Sequence, residues 1–432
     1  MLPSRHISTL SALHFLEDGF CMCSICLLSG SIGTVGSISL ALCYNCIAFL
    51  SQPFTGMLAD KIPRKHLLPI ISSMLMAISV ILTSLSITAV NPTLGILTAI
   101  ILGLGNSIFH VWGGIETSVI SKNDIRALGL FVSTGVFGLA VGSLLSSWTL
   151  LYIILLVFCL LVFFYQQLTH PIATAKIQKN FIFKPWQVWL TVTLLMTIVA
   201  FRSLCSGHFS FHIVKSGIPI LILSIIGMFG KALGGCISCR IGIVKTLFFI
   251  VIGLAICYTF LQLSPLSSLI GLLLINFTMS LTLYLNNIVL KGKEGLSFGL
   301  LAFSLMPVYL VGQLGIDIGI LSSYFLLALL PTILTEFAIL CLIEHRKTVV
   351  WSSVIINILT NTVLNLFVIY FHWSLSSILI GEFAVLIVEA FWYWYFTDSL
   401  KRSIFYSIAC NTASYTVGVL IGNSQILRPI MN

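Results

Sequence analysis

His14, Glu17 and Asp18 interrupt an otherwise apolar run at spacings of i, i+3 and i+4, which places all three on one face of a helix. If that helix starts near residue 7, Asp18 sits roughly 16 Å along it at about 1.5 Å per residue, near the middle of a bilayer. A carboxylate at that depth must be paired, hydrated or protonated, and each option makes Asp18 a candidate proton carrier. The competing expectation is a structural salt bridge to Arg202, a guanidinium inside a later apolar run. His110 falls mid-span and joins the same candidate set. Glu116, nearer the end of its run, is expected to act as a gate or loop partner, with Arg126 as the suggested base. In the second half of the chain Arg202, His208, His212 and Lys231 make the interior basic, opposite an acidic first half. That arrangement suits an anionic or zwitterionic solute held on the Arg202 side; mutual neutralisation is the alternative. Asn276 and Gln313, with Tyr284, Asn286 and Asp317, add polar groups whose facing the sequence leaves open.

Composition dictates the elements that must position these groups. Of 432 residues, 58% are hydrophobic and 8% charged, so a water-soluble domain of this length is excluded and the chain is an all-α integral membrane protein. The formal net charge of +9 does not indicate nucleic acid, because the bases lie in short loops between apolar runs rather than on one soluble face. Lipid headgroups are their expected partner. Twelve cysteines include the pairs Cys43/Cys46 and Cys236/Cys239, but most fall inside expected helices and are read as small packing residues. Neither a metal nor a cofactor is expected.

Apolar runs of spanning length place helices near 7–29, 34–57, 67–88, 94–119, 127–147 and 149–168. A basic segment, 169–186, follows. A second set runs near 187–211, 217–237, 246–263, 267–290, 296–320 and 322–343, and three further runs cover 351–371, 374–396 and 403–422. The expected organisation is therefore a six-helix bundle (1–168), a cytoplasmic linker (169–186), a second six-helix bundle (187–345) and a three-helix appendage (346–432), about fifteen spans in all. Most bases fall in alternate loops, which puts the N-terminus in the cytoplasm of a multi-pass protein of the plasma or bacterial inner membrane.

The one dense charged knot is Gly56-Met-Leu-Ala-Asp60-Lys61-Ile-Pro63-Arg64-Lys65, a tight cytoplasmic hairpin between two spans. Gly56 allows close helix approach, and Asp60 can cap the next helix or pair across the hairpin. The pattern recurs as Gly235-Cys-Ile-Ser-Cys239-Arg240-Ile241-Gly242, and Gly129, Gly142, Asn106 and Asp124 match Gly299, Gly312, Asn276 and Glu294 at one offset. The chain reads as a duplication. G-x-L-A-D-K-x-P-R-K resembles the cytoplasmic loop signature of the major facilitator superfamily, which implies two parallel six-helix halves with a site between them near the midplane.

A narrower resemblance rests on Leu13-His14-Phe15-Leu16-Glu17-Asp18-Gly19, Gln52-Pro53-Phe54-Thr55-Gly56, Gly105-Asn106-Ser107-Ile108-Phe109-His110 and Arg202-Ser203. These resemble the fosmidomycin-resistance type of facilitator. The resemblance implies proton-driven export of small molecules, with Asp18, His110 and Arg202 near the central cavity. Two departures weaken the antiporter reading more than the transporter reading: Cys239 stands where an Asp is usual, and Gly135-Val-Phe-Gly138-Leu-Ala-Val-Gly142 lacks the accompanying Pro. In the appendage Asn357, Asn361 and Asn365 recur on one face, Glu382 and Glu389 on another helix, and Asn411 on the last. Interhelical glue is the expected role. No family resemblance covers this appendage, and any protein partner for it stays open. The leading reading is a secondary active transporter; the alternative is a non-transporting receptor or scaffold built on the same fold. An enzyme is disfavoured, since no loop is long enough for a catalytic domain.

Overall fold

A computed structural model describes residues 4–168, 185–259, 264–306, 335–346, 375–397 and 399–422, with Val349, Val350, Ser353, Ile356, Asn357 and Thr360 between them. The described residues are helical or in turns. In chain order the helices are α1 (Ser4–Leu50), α2 (Gln52–Lys61), α3 (Leu67–Thr88), α4 (Pro92–Ile120), α5 (Ile125–Leu144), α6 (Trp148–Leu168), α7 (Pro185–Lys215) and α8 (Ile220–Ile241). They continue as α9 (Ile243–Thr259), α10 (Pro265–Val289), α11 (Glu294–Phe303), α12 (335–343), α13 (Leu375–Thr397) and α14 (Leu400–Gly422). Eight of them contain stretches long and apolar enough to cross a membrane. The outward faces agree with lipid contact: Leu156, Phe163 and Phe164 on α6 are exposed, as are Met74 and Ile81 on α3.

The first two expected spans, 7–29 and 34–57, need correction in their boundaries. Helical hydrogen bonding runs on through the turn, so the pair forms one element, α1, and the second limb breaks at Ser51 before Pro53 opens α2. The reversal itself is present. Residues eight apart in a straight helix are separated by about 12 Å, yet the Ser37 hydroxyl donates to the Ser29 carbonyl at 3.0 Å. Farther from the bend the Tyr44 hydroxyl reaches the Cys21 thiol. The returning limb packs on α4, where a methyl at Gly103 would overlap Ile47.

The chain divides into two compact units, Met1–Ile316 and Asp317–Asn432. Of the later expected spans, 296–320 is described only to Met306, 322–343 only from residue 335, and 351–371 at a few positions. Linker residues 169–184, with Lys176 and Lys179, lie outside the described residues, as do Lys184, Gln313, Asn361 and Asn365.

In the first unit the duplication appears as two equivalent junctions. A methyl at Gly56 (α2) would overlap the Gly295 carbonyl at the start of α11, and one at Gly299 would overlap the Gln52 carbonyl. In the other junction a methyl at Gly235 (α8) would overlap the Ile125 carbonyl at the start of α5, and one at Gly129 would crowd the Lys231 carbonyl. The sequence offset from Gly56 to Gly235 carries Gln52 onto Lys231, and the offset from Gly129 to Gly299 carries Ile125 onto Gly295. The same two close approaches are thus made twice, by α2 with α11 and by α8 with α5.

Candidate functional site

His14 and Asp18 lie one turn apart on α1, and α4 brings His110 against them. The α1–α5 contact that frames the cluster is glycine-lined. Methyls at Gly138 and Gly142 would overlap the Phe15 and Gly19 carbonyls, and one at Gly135 would run into Asp18 Oδ2 and His14 Nε2. Asp18 Oδ2 stands 3.3 Å from His14 Nε2, and Asp18 Oδ1 stands 3.4 Å from His110 Nε2. The Asn106 amide donates to Asp18 Oδ1 at 3.3 Å. His14 and Asp18 are buried, and the His110 side chain keeps 13% of its surface exposed.

The backbone decides how these rings are protonated. His14 Nδ1 meets the Phe131 carbonyl at 2.7 Å and His110 Nδ1 meets the Asn106 carbonyl at 2.9 Å. A carbonyl only accepts, so both Nδ1 atoms carry hydrogen and both Nε2 atoms face the shared space. There they lie 2.9 Å apart. Two neutral imidazoles would set lone pair against lone pair and against a carboxylate, so the electrostatics of the cluster call for a positive charge among the three groups.

Glu17 turns to another part of the same helix. Its Oε1 accepts from the Cys21 thiol, while Oε2 is buried without a hydrogen-bond partner among the described residues. The expected bridge from Asp18 to Arg202 is not formed. Two imidazoles and an amide claim the carboxylate, and Arg202 Nε is buried with no partner among the described residues. Lys231, on α8, lies within electrostatic reach of both Arg202 and Asp18. His208 belongs elsewhere: its ring stacks on Tyr258 at 5.7 Å and meets His212 edge-on at 4.8 Å. Asn276, on α10, donates to the Leu272 carbonyl at 2.8 Å and to the Ser206 hydroxyl at 3.5 Å.

Around the basic loops the structure identifies partners that the sequence did not. Asp60 caps neither α3 nor its own hairpin; its two oxygens accept from the Gly295 and Leu296 amides at 2.8 and 2.9 Å, at the start of α11. Those amides are orphan donors of a helix N-terminus and favour an anion. Glu116 pairs with Tyr165, whose hydroxyl donates to it at 3.0 Å, and not with Arg126, which forks onto Asp124 at 2.6 Å. Lys61, Arg64, Arg126 and Arg240 are exposed. Asn287 of α10 donates to the Ser118 hydroxyl and to the side-chain oxygen Oδ1 of Asn123, and the Asn123 amide donates to the Tyr284 carbonyl. Asn287 and Asn123 were not anticipated; the only hint was the clustering of asparagines near the loop ends.

In the second unit two carboxylates are buried among amide and hydroxyl donors. Glu336 of α12, missed in the sequence reading, accepts from Asn357 at 2.7 Å and from Ser414 at 3.0 Å. Glu389 accepts from Thr360 and Asn411 at 2.9 and 2.5 Å. Glu382 is half-buried on the same helix as Glu389. At the end of α12 the Arg346 guanidinium holds the Glu344 carboxyl down to about 2.

Comparison with known proteins agrees with this architecture. Residues 9–293 match the Major Facilitator Superfamily model. Among solved structures, an outward-conformation crystal structure of the facilitator transporter FucP aligns at 13% identity with a TM-score of 0.56, covering 82% of this chain and 98% of that one. A variant of the E. coli fucose:proton symporter FucP aligns at 14% identity with a TM-score of 0.55, over the same shares of the two chains. At these identities the likeness is one of fold. No curated protein matches the sequence. The family model covers well over half of the chain: this all-helical, multi-pass membrane protein belongs to the major facilitator superfamily of secondary transporters, which are not enzymes.

Proposed function

We propose that the chain is a proton-coupled transporter that moves a small anionic or zwitterionic solute by alternating access, with export favoured. In this reading two six-helix halves rock about a midplane site, three further helices form a C-terminal appendage, and the N-terminus is cytoplasmic in a plasma or bacterial inner membrane. The observation that carries it is the His14–Asp18–His110 cluster, a buried carboxylate between two imidazoles whose free nitrogens face one another. A proton shared there meets the electrostatic demand of the three groups. Arg202 supplies the complementary charge for an anion, since its Nε is buried without a partner among the described residues and Lys231 is close by. The resemblance to the fosmidomycin-resistance type supports export, and proton coupling is named for the fucose symporter that shares the fold. Lipid surrounds the spans, and the networks around Glu336, in the last helix before the appendage, and Glu389, within it, act as glue between helices.

The test is a pH jump across proteoliposomes with candidate anionic solutes. Wild type should move protons with solute, Asp18→Asn should lose coupled flux at least tenfold, and Arg202→Gln should raise KM with little change in the proton requirement. Undiminished coupling in Asp18→Asn would remove the cluster from the pathway. One feature favours the alternative receptor or scaffold: Cys239 stands where the second half would carry the equivalent of Asp60. A receptor would bind ligand without flux.

A further inference from the structure

We infer that His14 Nε2, His110 Nε2 and the Asp18 carboxylate form a binding site for one divalent first-row transition-metal ion. The two nitrogens stand 2.9 Å apart, His14 Nε2 lies 3.3 Å from Asp18 Oδ2, and His110 Nε2 lies 3.4 Å from Asp18 Oδ1. Ligands about 2.0–2.2 Å from a common ion and cis to one another stand roughly 3 to 3.4 Å apart, so the two nitrogens already suit neighbouring corners of a coordination polyhedron, and each has one oxygen of the same carboxylate at a ligand-to-ligand distance. They span two helices, and all their donor atoms fall within 4.8 Å of one another.

The surroundings have the features of a metal site rather than of a chance polar contact. Both histidines donate their Nδ1 hydrogens to backbone carbonyls, of Phe131 and Asn106, which presents Nε2 for ligation; outer-shell partners of ligating histidines do this. The Asn106 amide donates to Oδ1 of the same carboxylate. Gly135 keeps the space open, because any side chain there would enter the cluster. Glu17, one residue before Asp18, has a buried oxygen with no hydrogen-bond partner among the described residues. Two imidazoles and one carboxylate select borderline ions such as Co2+, Zn2+ or Fe2+ over the hard cations Mg2+ and Ca2+, which prefer all-oxygen shells. The His110 and Asp18 side chains keep 13% and 11% of their surface exposed, which leaves an entry path.

The inference uses residues of the proposed proton pathway but does not require transport. It is tested in detergent with no gradient, while the flux test is run with metal chelated, so either can fail alone. Protein without a polyhistidine tag is titrated with Co2+, followed by its visible absorption, with Zn2+ as competitor. One saturable Co2+ per chain is expected, displaced by Zn2+ and unaffected by millimolar Mg2+. His14→Gln and His110→Gln should each weaken binding at least tenfold. Cys236→Ser/Cys239→Ser should leave it unchanged, since those thiols are exposed and outside the cluster. Wild type alone provides a fold-independent check: Zn2+ should raise its unfolding temperature. The proposal is overturned if folded wild type shows no saturable site, if the site survives both histidine changes, or if it disappears with the cysteine pair.

Discussion

The two junctions of the first unit have one backbone geometry and two electrostatic solutions. At the first, α2 approaches α11 through Gly56, and Asp60 reaches across to accept from the Gly295 and Leu296 amides. At the second, α8 approaches α5 through Gly235, but the position equivalent to Asp60 is Cys239, and Asp124 caps α5 from within its own segment by accepting from the Arg126 amide at 2.8 Å. The exposed Cys239 is left within electrostatic reach of Arg126. Close steric fit is present at both junctions, while a carboxylate that reaches across to the facing helix start is present at the first. Close approach is demanded by each helix pair. The N-terminal amides can be satisfied by any nearby acceptor.

Breaking the shared geometry should cost most. Gly56→Val and Gly235→Val would each drive a side chain into a facing carbonyl, and overpacking of this kind costs about 1–3 kcal/mol or more where backbone cannot yield. Both variants should show lower unfolding temperatures in detergent, by similar amounts. A large loss at one junction and none at the other would show that the two are not equivalent.

Removing the cross-half charge should cost less and on one side only. Asp60→Ala strands two helix N-terminal amides, for which losses of about 1–2 kcal/mol are usual. Asp60→Asn keeps one acceptor and should fall between. Cys239→Ala, its counterpart, should be neutral within measurement. Equal losses from Asp60→Ala and Cys239→Ala would contradict the asymmetry.

Much of this was legible in the residues, and what was not has physical causes. His14, Asp18 and His110 stood out because polar groups in apolar runs are costly without partners, and the glycine repeats betrayed the junctions because close backbone contact tolerates nothing larger. The Phe131 and Asn106 carbonyls that orient the imidazoles were invisible, since every residue carries a carbonyl. The alternative role for Asp18, a bridge to Arg202, is not the one the structure shows, because two imidazoles share the carboxylate between them. Glu116 was assigned to Arg126 by proximity in sequence; the helix termini instead leave Asp124 nearer to Arg126 and bring Tyr165 of α6 to Glu116. Glu336 was overlooked because a single acid in an apolar run shows no periodicity, and its partners Asn357 and Ser414 come from other segments.

The smallest effect sharpens the comparison most. In wild type, Cys239→Asp adds a carboxylate to a junction whose helix start is already satisfied, so the gain should be below the loss from Asp60→Ala. Asp124→Ala removes the self-cap and should cost about 1 kcal/mol. Burial opposes ionisation of Asp124, but the hydrogen bonds from the Arg126 side chain and amide outweigh it and hold the carboxyl below its usual range. Its contribution is therefore fully present at neutral pH, above the unfolded value, and is lost only as pH falls through the lower folded value. Once Asp124 is gone the α5 amides are orphaned as those of α11 are without Asp60, and Cys239→Asp gains the role that Asp60 plays across the other junction. The double variant should recover more stability than Cys239→Asp adds to wild type, a coupling measurable as a double-mutant cycle of unfolding temperatures at pH 7. Strict additivity would mean that the carboxylate at position 239 does not reach the α5 amides, and that the second junction differs from the first in geometry as well as in charge.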